Sequence, residues 1–97
     1  MLHVKLNRNK LELRKTSGLL ERVISERAQS GDISPCQTMV LVLTTSGQVD
    51  LRNLHGTLIR TISTGATGCR FSGNDVIIQK AGKTELRTIT GLFIRQL

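Results

Sequence analysis

The phrase VDLRNLHGTLIRTI, residues 49–62, has two counterparts in the same chain: LELRKTSGLLERVI from residue 11 and TELRTITGLFIRQL from residue 84. Aligned on their acidic residue, Glu12, Asp50 and Glu85 coincide. Leu13, Leu51 and Leu86 follow at +1, and Arg14, Arg52 and Arg87 at +2. Gly18, Gly56 and Gly91 fall at +6. Leu20, Leu58 and Phe93 fall at +8, Arg22, Arg60 and Arg95 at +10, and Ile24, Ile62 and Leu97 at +12. Columns held in register through three copies describe a chain assembled from one supersecondary unit, and this constrains the fold more than any other feature.

Each unit reads as short strands separated by tight turns. VLVLT and VIIQ are β-branched and apolar, as half-buried strands are. TTSGQ, LHGT, SGND and KAGK supply the Gly, Ser and Asn that reversals use. The second unit is predicted to have four strands, near 34–38, 40–45, 48–53 and 57–62. The third has them near 67–71, 75–80, 83–88 and 92–97. The first unit has only the last three, at 2–7, 10–15 and 19–24, so its first strand is missing. The chain is then one domain, 1–97, divided into a partial unit (1–27) and two complete ones (28–62 and 63–97). LLERVISERAQ, 19–29, has helical spacing. Its counterparts TLIRTI and LFIRQL read as strand, which leaves at most a helical turn at 25–30.

Four strands in a tandem unit of this length, ending in G-x-L-hydrophobic-R-x-I, resemble the blades of β-propellers of the NHL and WD-repeat types. RFSGNDVIIQKAGKTELRTITGLFIRQL, residues 70–97, carries the likeness furthest. The resemblance implies an all-β fold of about three blades. Because a propeller needs at least four blades, it also implies ring closure by homo-oligomerisation, two chains giving six blades. A β-trefoil monomer is the alternative, with another sandwich or barrel behind it.

Composition agrees with a small core that gains from association. There is no Trp or Tyr, and Phe71 and Phe93 are the only aromatics besides histidine. Leu, Ile and Val must supply the burial that aromatic side chains often carry, and self-association is one way a small scaffold adds to it. Cys36 and Cys69 are too few for a disulfide framework. They are expected to be half-buried thiols in a reducing cytoplasm, with a single disulfide as the alternative. The N-terminal MLHVKLNRNKLELRK lacks the apolar core of a leader peptide, and no stretch has the ~20 apolar residues of a membrane helix. A cytoplasmic protein without a membrane partner is the expectation.

Net charge is +7, with seven Lys/Arg against three acids in 1–27, two against two in 28–62, and five against two in 63–97. Such an excess suits an acidic or nucleic-acid partner. On a strand, residues two apart share a face. Glu12 and Arg14, Asp50 and Arg52, and Glu85 and Arg87 are therefore expected to form structural ion pairs, read as a ladder between neighbouring sheets. In a blade arrangement, the turns between second and third strands and the connections between units open on one rim. That rim would collect Arg8, Lys10, Arg27, Lys80 and Lys83. No catalytic, cofactor or metal motif is present: His3 and His55 lack partners, and SGDIS and STGATG lack the P-loop lysine. The expected function is a non-enzymatic scaffold that forms homodimers and binds a macromolecule through the basic rim. A non-specific nucleic-acid binder is the first alternative, and a lectin-like small-ligand binder the second.

Overall fold

The computed structural model describes all residues, 1–97. The chain is all-β, with eleven strands in three antiparallel sheets and no helix. No element, therefore, is a helix long and apolar enough to cross a membrane. The first sheet has the order β1-β2-β3, from Leu2–Asn7, Lys10–Lys15 and Leu20–Ser25. The second has the order β4-β5-β6-β7, from Ala28–Ile33, Met39–Thr44, Val49–Asn53 and Leu58–Ser63. The third has the order β8-β9-β10-β11, from Ala66–Ser72, Asp75–Lys80, Lys83–Thr88 and Phe93–Gln96. The sheets do not join into a closed barrel, so the trefoil expectation is not met.

Two expectations are corrected. The first strand of the second unit is β4, Ala28–Ile33, and not residues 34–38. Residues 34–38 form the reversal into β5. There the Ser34 hydroxyl accepts from the Thr38 and Met39 amides at 3.1 Å each, and Gln37 takes a φ of 58°. The helical turn at 25–30 is absent, because β4 already occupies Ala28–Ser30. β4 is a strand because of what covers it. Gly31 lies directly under the Leu11 side chain, and Ala28 is fully buried. The Asp32 carboxylate accepts the Phe71 amide of β8 at 2.8 Å, which satisfies an edge-strand donor that no neighbouring strand reaches.

Within each sheet the last two strands repeat one hairpin. Gly18, Gly56 and Gly91 donate their amides to the carbonyls of Lys15, Asn53 and Thr88, at 2.8, 3.0 and 2.9 Å. Each takes a φ near +90°, where a Cβ is strained. The register of β2–β3, β6–β7 and β10–β11 shifts at an equivalent bulge, a device that bends and twists a strand pair.

The sheets stack face to face, and the alternation along each strand divides its side chains between two seams. Leu11, Leu13 and Ile24 of the first sheet meet Ala28, Val40 and Val42 of the second. Leu41, Leu43, Val49, Leu51 and Ile62 of the second meet Ala66, Val76 and Ile78 of the third. The two seams use equivalent columns. The second sheet is therefore apolar on both faces, and truncating Leu51 to Ala should cost about 2–5 kcal/mol. The strands β1, β4 and β8 run side by side as the near edges of the three sheets.

The same seams carry one repeated polar contact. Arg22 Nη1 donates to the His55 carbonyl at 3.1 Å, and Arg60 Nη1 to the Thr90 carbonyl at 3.0 Å. In each case the acceptor precedes the turn glycine of the following sheet. Gly56 itself rests against Ile24, and Gly91 against Ile62.

Candidate functional site

The rim is built by a chain of backbone contacts. The turn after β1 offers the Asn9 carbonyl to the Ala28 amide at 2.9 Å. The connection from β3 to β4 offers the Arg27 carbonyl to Thr45, in the turn after β5, at 2.8 Å. That turn offers the Gly47 carbonyl to Ala66 at 2.8 Å. Ala66 opens β8 opposite Lys80, and Lys80 pairs in register with Lys83 across the last turn. Turns and connections thus alternate along one edge, and Arg8, Lys10, Arg27, Lys80 and Lys83 all stand on it.

The five bases are not equivalent. Arg8, Lys10, Arg27 and Lys83 are exposed and form no ion pair. Lys80 is half-buried, with its Nζ 3.7 Å from Glu85 Oε1. Burial of the Glu85 carboxyl opposes its ionisation. Arg87, bonded to it at 3.0 Å, with Lys80 and Lys83 close by, outweighs that effect and holds its pKa below the usual value. A second acid stands among the bases. Glu26 lines a depression of about 410 Å³ with Asn7, Arg8, Asn9 and Lys10. It also borders a cleft of about 520 Å³ between the first and second sheets, with Arg27, Arg52, Thr44, Thr45, Ser46 and Gln48 among the lining. Sequence reasoning left Glu26 out of the rim, although its place in the connection put it there.

The repeated acid–arginine pairs lie within single strands and do not form a ladder between sheets. Glu12 Oε1 accepts from Arg14 Nε at 3.0 Å and Nη2 at 2.7 Å. Glu85 Oε1 accepts from Arg87 Nε and lies 3.0 Å from its Nη2. The remaining guanidinium nitrogen closes the hairpin. Nη1 of Arg14, Arg52 and Arg87 donates to the carbonyls of Gly18, Gly56 and Gly91, at 2.6, 2.7 and 2.9 Å. The strand twist and the reach of arginine favour these local partners over the next sheet. Asp50 is one methylene shorter than its counterparts. Its Oδ1 accepts instead from Gln48 and Thr61, Arg52 Nη2 stands 3.8 Å from Oδ2, and Arg52 Nε is buried without a partner.

The thiols differ from the expectation in one respect: Cys36 is exposed, while Cys69 is half-buried, and both are free. Hydrogen bonds from Thr38 and Ser34 lower the Cys36 pKa. Burial, with the nearby Asp32 charge, raises that of Cys69 to about 12. His3 and His55 are exposed. No three His, Cys, Asp or Glu side chains cluster closely enough to hold a metal ion. Comparison with protein-family models and with curated proteins finds no match to this chain.

Proposed function

We propose that this chain is a non-enzymatic binding scaffold. Its three sheets are blades of a β-propeller that closes by self-association, and its basic rim holds an acidic protein surface. The observation that carries the reading is the alternation of turns and connections that brings four unpaired cations to one edge. A surface of that sign attracts polyanions by long-range Coulomb forces. Glu26 sits among those cations and introduces a charge pattern. A patterned rim suits a protein face of mixed sign better than the uniform negative charge of a phosphate backbone. Neither phenylalanine stands on the rim to stack against bases or sugars, so the single-strand and lectin-like alternatives lose their main source of affinity.

The test is a pair of binding titrations, one with polyglutamate and one with duplex DNA, over a range of salt. Polyglutamate should bind, and Arg27→Glu and Lys83→Glu should each weaken it. Tighter binding of duplex, with a log–log salt slope that falls by roughly one for each removed phosphate contact, would favour the nucleic-acid reading. If neither polyanion binds at low salt, the rim is a solvated edge and the proposal fails.

A further inference from the structure

Each seam joins a giving side to a receiving side. On the giving side are an arginine and, two residues later, an apolar residue: Arg22 and Ile24, then Arg60 and Ile62. On the receiving side are a turn carbonyl and the glycine after it: His55 and Gly56, then Thr90 and Gly91. Buried in their seams, Ile24 and Ile62 are 4% and 5% exposed.

The chain contains one more of each half. Arg95 and Leu97 occupy the giving columns of the third sheet. Arg95 is exposed and makes no side-chain hydrogen bond or ion pair, and Leu97 is 53% exposed. Ser17 and Gly18 occupy the receiving columns of the first sheet. No side chain donates to the Ser17 carbonyl, and nothing lies within 4 Å of where a Gly18 Cβ would be. Ile77 and Leu86, whose counterparts Leu41 and Leu51 are fully buried, remain half-buried on the open face of the third sheet.

We propose that this open face docks head-to-tail on the first sheet of a second copy. Arg95 of one copy donates to the Ser17 carbonyl of the other, and Leu97 covers Gly18. The inference rests on the self-association reading and names its contact. The occupant is a second copy because the two unfilled halves are complementary and belong to one chain. Such a contact closes into a ring when the rotation allows, and two copies supply six sheets. The new seam is more polar than the internal ones. His3 and Lys5 stand on its receiving side where Val40 and Val42, and then Val76 and Ile78, stand in the others. Less apolar area is removed from water than in an internal seam, so the contact between copies is the weaker one and is lost on dilution.

The experiment is light scattering on a sizing column across a concentration series, for the wild type, Leu97→Asp and Arg95→Ala. Both side chains are exposed in the single copy, so both variants should fold. Unchanged far-ultraviolet circular dichroism under dilute conditions checks that they do. The expected result is a wild-type mass rising from 10.7 kDa to twice that value. A ring of two copies has two such seams, so Leu97→Asp should raise the dissociation constant at least tenfold, and loss of one charge-assisted hydrogen bond at each seam in Arg95→Ala should raise it roughly a hundredfold, about tenfold per bond. A wild-type dimer that both folded variants retain unchanged would overturn this seam and leave self-association standing through another surface. A wild type that remains at 10.7 kDa at every concentration would overturn both.

Discussion

Arg22 and His55 stand on different sheets, and the hydrogen bond from the arginine Nη1 to the histidine carbonyl, 3.1 Å long, spans the first seam. Arg60 and Thr90 repeat it across the second. The acceptor belongs to a tight turn whose own hydrogen bond is made by the glycine that follows, so this carbonyl points outward. Arg22→Ala and Arg60→Ala should each lower the unfolding free energy by about 0.5–1.5 kcal/mol, the net worth of a hydrogen bond that water can replace. The two contacts share no partner, so the double variant should show the sum. Urea denaturation measures all three. A double variant as stable as the wild type would mean that apolar packing alone holds the seams.

Gly31 offers a sharper test of the first seam. A Cβ there would overlap Leu11 Cδ2 and lie 2.9 Å from the Leu41 carbonyl oxygen. The leucine end can rotate, but the backbone oxygen cannot withdraw without disturbing β5. Gly31→Ala should cost about 1–3 kcal/mol, as overpacking does. Leu11→Ala in the Gly31→Ala background should recover part of the clash, while carrying its own cavity cost. A double-mutant cycle showing no coupling would contradict the contact.

Glu85 predicts a pH dependence. Its folded pKa is depressed, so the folded state stabilises the charged carboxylate. That stabilisation is complete above the unfolded value of about 4.3. It is lost as pH falls through the folded value, because the unfolded chain binds the proton first. Glu85→Gln should therefore be the less stable protein at pH 6, and its deficit should shrink below pH ~4. Urea midpoints for both proteins at several pH values measure the difference. A deficit independent of pH would assign the effect to packing.

The thiols should react at very different rates. The thiolate is the reactive form. Cys36 is exposed with a lowered pKa, and Cys69 is half-buried with one raised to about 12. A thiol-reactive disulfide reagent at neutral pH should label one equivalent quickly and the second only on denaturation. Cys36→Ser should remove the fast phase. Rapid labelling of both thiols in the native protein would show that the β4–β8 edge opens readily.

Strands β1, β2, β9 and β10 lie at the residues predicted from sequence. Apolar residues alternate along β1 and β2, β9 holds the β-branched run Val76–Ile78, and turns containing Asn, Gly or Lys bound the four strands, so local signals agree with the final packing. AQSGDI carries no such signal. Ser30, Gly31 and Asp32 read as loop, and the segment becomes β4 because its small residues fit beneath Leu11 and its aspartate caps a distant amide. On the rim, Arg8, Lys10, Arg27, Lys80 and Lys83 could be grouped from the repeat alone. The pairing of Lys80 with Glu85 could not, since it depends on the reach of one side chain across a strand pair.

The sequence by itself determined the unit: the hairpin, the glycine at its reversal, and the acid and arginine placed two residues apart on one face of a strand. Those features act over a few neighbouring residues, and three copies repeat the instruction. Only the tertiary structure decided how the units meet. A strand's alternation says that a residue lies on one of two faces, but not what stands opposite. That Arg22 finds His55 and Arg60 finds Thr90, while Arg95 finds nothing in its own chain, follows from the order in which the sheets stack. A seam is made of side chains distant in sequence, whose contact comes from burying apolar faces and cannot be read from local preference.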